Sequence, residues 1–557
     1  MLGIKSIFMK IRLAQLNYVV GDVDNNVKKI LEVIFDAKQH SVDLVVFSEL
    51  CICGYSPLDL LEYKSFILKC KEGLDKIVSE TEGIAVIVGL PTLNTNDRGK
   101  NLSNSAVFIN DGQIQKIINK TLLPTYDVFD ENRYFESNDV FDIIEFKGKK
   151  IALTICEDLW DEQMNYGIFD REMLYKSAPM DKLIKFNPDF IVNIAGSPFS
   201  YNQAHNRRDI LIKNVIKYSL PIIYVNQVGA NTELIFDGGS CVIGRGGYLL
   251  QKCKYFEEEI LDFELEKDYN EFHDNVILDK YCLIYNALIL GIKDFFAKQG
   301  FKKAVLGLSG GIDSAVTLAL AVKALGKENV VALLMPSVFS SEHSITDSVD
   351  MAERCGIKYE IINIQQIRHS FEETFRSIFE GTQKDITEEN IQARIRGTIL
   401  MAYSNKFGHI VLNTSNKSEF AVGYSTMYGD MNGALSVLGD VYKTDVYKLA
   451  EYINEKYENL IPKNIIMKAP SAELRPDQKD SDSLPDYDIL DRILFSYIEL
   501  RQCPELIAKS GIDIKTINEV IKMVNKSEFK RFQAPPILRM SSKAFGFGRR
   551  IPIVAKF

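Results

Sequence analysis

Between residues 10 and about 265, short apolar runs alternate with longer stretches of mixed polar and apolar residues. The runs Asp43-Leu-Val-Val-Phe47, Ile84-Ala-Val-Ile-Val88, Lys150-Ile-Ala-Leu-Thr-Ile155, Phe190-Ile-Val-Asn-Ile194 and Pro221-Ile-Ile-Tyr-Val225 read as buried strands. Helix-length segments such as Asn25 to Gln39 lie between several of them, and the alternation predicts an α/β layered fold. From Asp262 to Lys280 the chain turns acidic and loses strand character. A second pattern follows: a helix over Tyr281 to Gln299, the strand Lys303-Ala-Val-Leu-Gly-Leu308, a Gly-rich turn, a helix over Ser314 to Leu325 and the strand Val330 to Met335. This is a βαβ unit whose turn lies at the carboxyl end of a strand, where open α/β sheets bind ligands. The expected division is therefore one domain over 9–265, a linker over 266–280 and a second domain over 281–557. Pro470 to Asp491, rich in Asp, Ser and Pro, reads as a long loop. There is no internal repeat.

Composition narrows the classes. A chain of 557 residues with 46% hydrophobic and 25% charged content is long enough for two cores and ordinary for a globular protein. The formal charge of −9 argues against a nucleic-acid partner but leaves small anions open, because local groups hold those. No uncharged apolar run reaches the roughly 18 residues a bilayer span needs, and Met1 to Lys10 lacks a signal-peptide pattern. No membrane association is expected. The nine cysteines form no CxxC pair, so free thiols in a reducing cytoplasm are the simplest reading. Six scattered histidines do not favour a His-ligated metal or a Ser/His/Asp triad.

The sharpest local signal is the turn Ser309-Gly-Gly-Ile-Asp-Ser314 between a strand and a helix. Two glycines let backbone approach an anion, and helix-start amides with the two hydroxyls can cradle it. No Lys-Ser/Thr follows, so this is not a Walker A loop. An acidic Asp313 in an anion-binding loop makes sense if a cation such as Mg²⁺ intervenes. The SGGxDS pattern is that of the ATP pyrophosphatases, which split ATP to AMP and pyrophosphate. Glu389-Asn-Ile-Gln-Ala-Arg-Ile-Arg396, Asn413-Thr-Ser-Asn-Lys-Ser-Glu419, Tyr428-Gly-Asp430 and Pro470-Ser-Ala-Glu-Leu474 follow it. In order and spacing they resemble the bacterial NAD synthetases, over essentially all of 281–557. That resemblance implies a Rossmann-like PP-loop domain with a parallel sheet. It implies an ATP site at Gly307, Leu308, Ser309, Gly310, Gly311, Ile312, Asp313, Ser314 and Thr414, with Lys443 and Ser471 as weaker additions. Asp313 and Glu419 would be Mg²⁺ ligands; Asn390, Arg394, Glu419 and Lys530 would contact the deamido-NAD substrate.

In the front half, three titratable residues each follow a strand-like run: Glu49, Lys120 and Cys156. Strand ends on one edge can converge, a glutamate can take a thiol proton, and a lysine can steady the thiolate and an oxyanion. That would carry an amide to ammonia through an acyl thioester without histidine. Any one cysteine alone reads as a small buried hydrophobe; the flanks decide. Ser48-Glu-Leu with Gly54-Tyr-Ser-Pro57, Lys120 to Tyr126 with Asp130-Glu-Asn-Arg-Tyr-Phe135, and Cys156-Glu-Asp-Leu-Trp160 resemble the three signature regions of the nitrilase-type carbon–nitrogen hydrolases. More narrowly, they resemble the glutaminase domain of NAD synthetases. The match begins at Met9, so residues 1–8 are expected to be an upstream extension.

The resemblance implies a nitrilase-like α-β-β-α sandwich with Glu49 as general base, Lys120 as oxyanion and thiolate partner, and Cys156 as nucleophile. Tyr126 and Ser197 match positions that hold glutamine. Gln203 departs, because relatives often carry a basic residue there to pair with the substrate carboxylate; Arg207 and Arg208 are the nearby cations that could take its place. Together the halves imply ATP-dependent amidation of deamido-NAD by ammonia from glutamine, an adenylated intermediate, an enclosed ammonia passage and a homo-oligomer. Two rivals stand beside this: a PP-loop enzyme with another acceptor, making GMP, an asparagine-like amide or thiolated tRNA, and a non-catalytic scaffold with a dead nitrilase domain.

Overall fold

The computed structural model describes residues 8–162, 174–265, 279–476 and 478–556. It divides into two compact units, Met1–Ile277 and Leu278–Phe557. Most of the expected linker, 266–278, and residues 1–7 of the expected extension lie outside the described residues.

The first unit holds two six-stranded sheets. One runs, edge to edge, Glu259–Glu264, Lys10–Gln15, Leu44–Val46, Ala85–Leu93, Leu102–Asn110 and Gln113–Asn119. The other runs Leu249–Lys252, Cys241–Ile243, Ile222–Asn226, Phe190–Ala195, Lys149–Ile155 and Ile144–Phe146. Strand periodicity sorts the side chains. Leu44 and Val46 join Ile11, Leu13 and Ile87 in a core shared with Ile151, Leu153 and Ile155 of the second sheet. Val45, Phe47, Val86 and Val88 point the other way, against two helices. Those helices are Val23–Gln39, whose Val23, Val27, Ile30 and Ile34 form a buried stripe, and Lys64–Ser79, which buries Cys70, Leu74 and Ile77. Burial on both faces explains why these strands read as continuous apolar runs. With Gln203–Tyr218 burying Leu211 and Val215 beside the second sheet, the layers are the expected α-β-β-α sandwich.

The second unit is built on a five-stranded sheet, all parallel: Lys358–Ile361, Val330–Leu334, Ala304–Gly307, Ile410–Asn413 and Leu435–Ser436. The first strand in sequence, Ala304–Gly307, lies mid-sheet between the second and the fourth, so the chain order reverses beside it. Ligands bind at such switch points, outside the carboxyl ends of the strands. The Gly-rich turn and Thr414 leave the two adjacent strands on either side of that point. The helix after the turn begins at Ile312, two residues before the sequence reading placed it. The stretch read as a loop from Pro470 to Asp491 ends early: Tyr487–Leu494 is helical and buries Leu490, Ile493 and Leu494, an apolar stripe overlooked amid the acidic residues. Among the described residues, no helix is long and apolar enough to cross a membrane.

A buried ion pair fastens the helix Gln203–Tyr218 to the hairpin strand Leu234–Asp237. Arg207 donates Nη1 to Asp237 Oδ1 at 3.1 Å and Nη2 to Oδ2 at 2.6 Å, with side chains only 4% and 0% exposed. Removing the carboxylate strands a buried guanidinium. Asp237→Ala is therefore expected to destabilise the first unit by about 3–5 kcal/mol in urea unfolding; an unfolding midpoint matching wild type would contradict the pairing.

Candidate active sites

Glu49 and Lys120 follow strands of the first sheet, and Cys156 follows Lys149–Ile155 of the second, so the site forms where strand ends of both sheets meet. Glu49 and Lys120 are fully buried, and Cys156 is buried too. Lys120 Nζ donates to Glu49 Oε1 at 2.7 Å and to Glu131 Oε1 at 2.8 Å. Asn104 Nδ2 donates to Glu49 Oε1 at 2.7 Å, and the Gly196 amide to Glu49 Oε2 at 2.8 Å. The Tyr55 hydroxyl donates to Glu131 Oε1 at 2.7 Å. Burial pushes the Lys120 ammonium down, but Glu131 and Glu49 outweigh it and hold it well above its ordinary value. Glu131 is pushed up by burial, against the pull of Lys120.

Cys156 has φ +44°, a left-handed bend that ends the strand and starts the turn Cys156–Leu159. Its thiol is pushed well above the ordinary value by burial and by Glu49, and Lys120 offsets only part of this. The resting sulfur is thus a thiol, not the thiolate that a neighbouring lysine alone would favour. Glu49 is the charged group that acts on it most strongly.

Asp158 pins the turn: its Oδ1 accepts from the Thr121 and Leu122 amides at 3.0 and 2.9 Å, and its Oδ2 from the Ile155 amide at 3.1 Å. This fixes Cys156 relative to Lys120 through backbone. Glu157, buried immediately after Cys156, accepts the Tyr126 hydroxyl at 2.8 Å and the Tyr175 hydroxyl at 2.7 Å. Ser197 is buried, its amide donating to Asn226 Oδ1 at 3.0 Å. Gln203 opens its helix half-exposed, its amide donating to Ser200 O at 2.8 Å. Arg207 cannot substitute for a missing base there, since both its terminal nitrogens are committed to Asp237; Arg208 is exposed. Sequence reading assigned no role to Glu131, Asn104, Tyr55 or Glu157, although Glu131 lies inside the quoted Asp130–Phe135 segment.

In the second unit, a cavity of about 300 Å³ opens at the switch point. It is lined by the Gly307–Ser314 loop except Gly310, and by Thr414, Glu419, Lys443 and Ser471. Gly310, at φ +77°, faces elsewhere: a Cβ there would lie 2.5 Å from the Ser344 carbonyl oxygen. The Ser309 and Ser314 hydroxyls lie 3.2 Å apart, and the Gly311 amide donates to Ser309 Oγ at 3.2 Å. Asn416 Nδ2 donates to Asp313 Oδ1 at 3.0 Å, and Lys443 forms an ion pair with Asp313 Oδ2. Lys443 Nζ also lies 3.7 Å from Glu419 Oε1. Burial, then the Asp313 charge, pushes Glu419 up to about 8. Ser471 Oγ accepts from the Glu473 amide at 3.2 Å.

Three expected substrate contacts do not line this cavity. Asn390 Oδ1 accepts from Thr426 Oγ1 at 2.7 Å, and Lys530 Nζ donates to the Gly423 and Ser425 carbonyls, each at 2.8 Å. Both therefore brace the 423–426 segment. Arg394 is exposed and donates to Met427 O at 3.3 Å. Arg396, Lys468, Glu473 and Asp480 do line the cavity, and the sequence reading gave none of them a role.

A carbon–nitrogen hydrolase family profile matches residues 10–272 and an NAD synthase profile residues 284–534. A glutamine-dependent NAD(+) synthetase of Synechocystis is 41% identical over 98% of this chain and 99% of its own length. One from Thermotoga maritima is 38% identical, with 99% of each chain covered. The chain belongs to the glutamine-dependent NAD(+) synthetases. A solved structure of the Acinetobacter baumannii glutamine-dependent NAD+ synthetase, in complex with adenosine diphosphate, matches with a TM-score of 0.77 at 37% identity, covering 98% of each chain. The reaction is the ATP-dependent amidation of deamido-NAD with ammonia drawn from glutamine.

Burial pushes the Glu157 carboxyl from the ordinary 4.5 up to about 7, against the two tyrosine hydrogen bonds. A carboxyl that holds its proton more tightly when folded stabilises the fold fully below its unfolded value, and that contribution is lost as pH rises through the folded value. The urea midpoint of the first unit should therefore fall between pH 5 and pH 8, and Glu157→Gln should flatten that fall. An identical slope in the variant would contradict the assignment.

Proposed function

We propose that the first unit is the glutaminase and the second the adenylating and amidating unit, with the roles that follow. In the glutaminase, glutamine sits against Tyr126 and Ser197, with Gln203 near its carboxylate. Glu49 takes the Cys156 proton as sulfur attacks the side-chain amide, and Lys120 steadies the oxyanion. Collapse of that intermediate releases ammonia and leaves a γ-glutamyl thioester, which water then hydrolyses to glutamate. The observation that carries this reading is the Lys120 ammonium at hydrogen-bond distance from both Glu49 and Glu131, fully buried.

In the second unit the Gly307–Ser314 loop and Thr414 hold ATP, with Lys443 and Ser471 beside them. Asn390, Arg394, Glu419 and Lys530 serve the dinucleotide substrate, Asn390 and Lys530 by bracing the 423–426 segment. The nicotinate carboxylate attacks the α-phosphorus, pyrophosphate leaves, and ammonia displaces AMP from the mixed anhydride. Asp313 and Glu419 suit Mg²⁺: two carboxylates compete for one lysine, and Glu419 holds a proton near pH 8 that a cation would displace. Among the described residues no cluster of three acidic, histidine or cysteine side chains is arranged to hold a metal. Substrate phosphates would supply further oxygen ligands, as is usual for Mg²⁺. When bound, the ion neutralises phosphate charge. A cytoplasmic location, a homo-oligomer and internal transfer of ammonia complete the reading; transfer matters because free ammonia is mostly protonated, hence unreactive, near neutral pH.

Cys156→Ala is the decisive variant. Glutamine-dependent NAD formation should fall to background while ammonium-dependent formation continues at the wild-type rate, both followed by NAD and AMP release. Loss of both activities in a folded variant would contradict the division of labour.

A further inference from the structure

Three cationic side chains line the nucleotide cavity: Arg396, Lys443 and Lys468. Lys443 is paired with Asp313, and Lys468 Nζ lies 2.7 Å from Glu473 Oε1. Arg396 differs. Its Nε donates to Met335 O at 3.1 Å, at the carboxyl end of the strand Val330–Leu334, and no carboxylate among the described residues bridges it. Glu473 and Asp430 act on it only at longer range, and burial outweighs them, pulling its guanidinium below the ordinary value. Its place on the helix Ile386–Phe407 aims it inward: Ala393, Arg396, Gly397 and Leu400 fall at helical spacing and all line the cavity. Arg394, two positions earlier, is on another face and exposed.

The adenylation step brings two anions together, a carboxylate and a phosphoryl group. A guanidinium whose Nη donors no carboxylate bridges is suited to that charge, because its planar fork matches either oxyanion. We propose that Arg396 is a catalytic residue of the adenylating site, donating through Nη1 and Nη2 to an oxyanion of the reacting pair. The inference rests on the proposed adenylation and adds a residue to it.

The test compares wild type with Arg396→Gln and Arg396→Lys in the full-length chain. Loss of a charge-assisted contact should lower kcat/KM for AMP formation about 10- to 100-fold in Arg396→Gln, with partial recovery in Arg396→Lys. Glutamine hydrolysis should stay unchanged, which shows that the chain is folded. If inhibition by AMP weakens while inhibition by pyrophosphate does not, the contact is to the α-phosphate; if the KM for deamido-NAD rises instead, it is to the carboxylate. Either supports the proposal. Wild-type AMP formation in Arg396→Gln overturns it and leaves the adenylation reading intact. A lowered melting temperature with equal loss in both variants and unchanged affinities also overturns it, in favour of a packing role. Absence of AMP from the wild-type protein would instead defeat the adenylation reading itself.

Discussion

An ammonium with no access to solvent has to be matched by negative charge, and Lys120 is matched twice, by Glu49 and Glu131. Much of the first unit's architecture serves that arrangement. Asn104 and the Gly196 amide also donate to Glu49, and Tyr55 donates to Glu131. Both carboxylates are partnered, and burial raises the nearby Cys156 thiol well above its ordinary value. The cluster cannot form within one sheet: Cys156 arrives from the second, and Asp158 ties its turn to the backbone following Lys120.

The second unit solves a related problem with the opposite sign. Here carboxylates outnumber available cations: Asp313 and Glu419 share Lys443, and Glu419 answers by holding its proton. The helix carrying Glu419 is fixed by neighbours in sequence. Asn416 bonds Asp313, while Lys417, fully buried, reaches Asp440 at 2.9 Å and Glu499 at 3.0 Å. These buried pairings fix the Glu419 helix beside the cavity.

Much of this was legible in the sequence because its signals are local. Apolar runs gave the strands of both sheets, since a strand covered on both faces has little polar alternation to confuse it. The Gly-Gly turn stood out through two glycines and two serines set between a strand and a helix. Glu49, Lys120 and Cys156 stood out because each follows a strand-like run and carries a motif-like flank. Glu131 was missed because a four-residue helix, Glu131–Tyr134, turns its carboxylate inward, and nothing local distinguishes that from an exposed acid. Arg394 stood out over Arg396 by its place in a motif, yet helix rotation takes Arg396 into the cavity and Arg394 to the surface. Likewise Arg207 looked available until Asp237, 30 residues away, claimed it. Such pairings depend on tertiary packing.

The most direct test of the buried ammonium is its removal. In Lys120→Met, Glu49 and Glu131 lose their common cation, and Glu131, which burial already pushes up, loses the charge that opposes this. Glutamine hydrolysis at saturating glutamine is predicted to fall by about 100-fold or more while ammonium-dependent NAD formation persists. Hydrolysis at the wild-type rate in that variant would contradict the account.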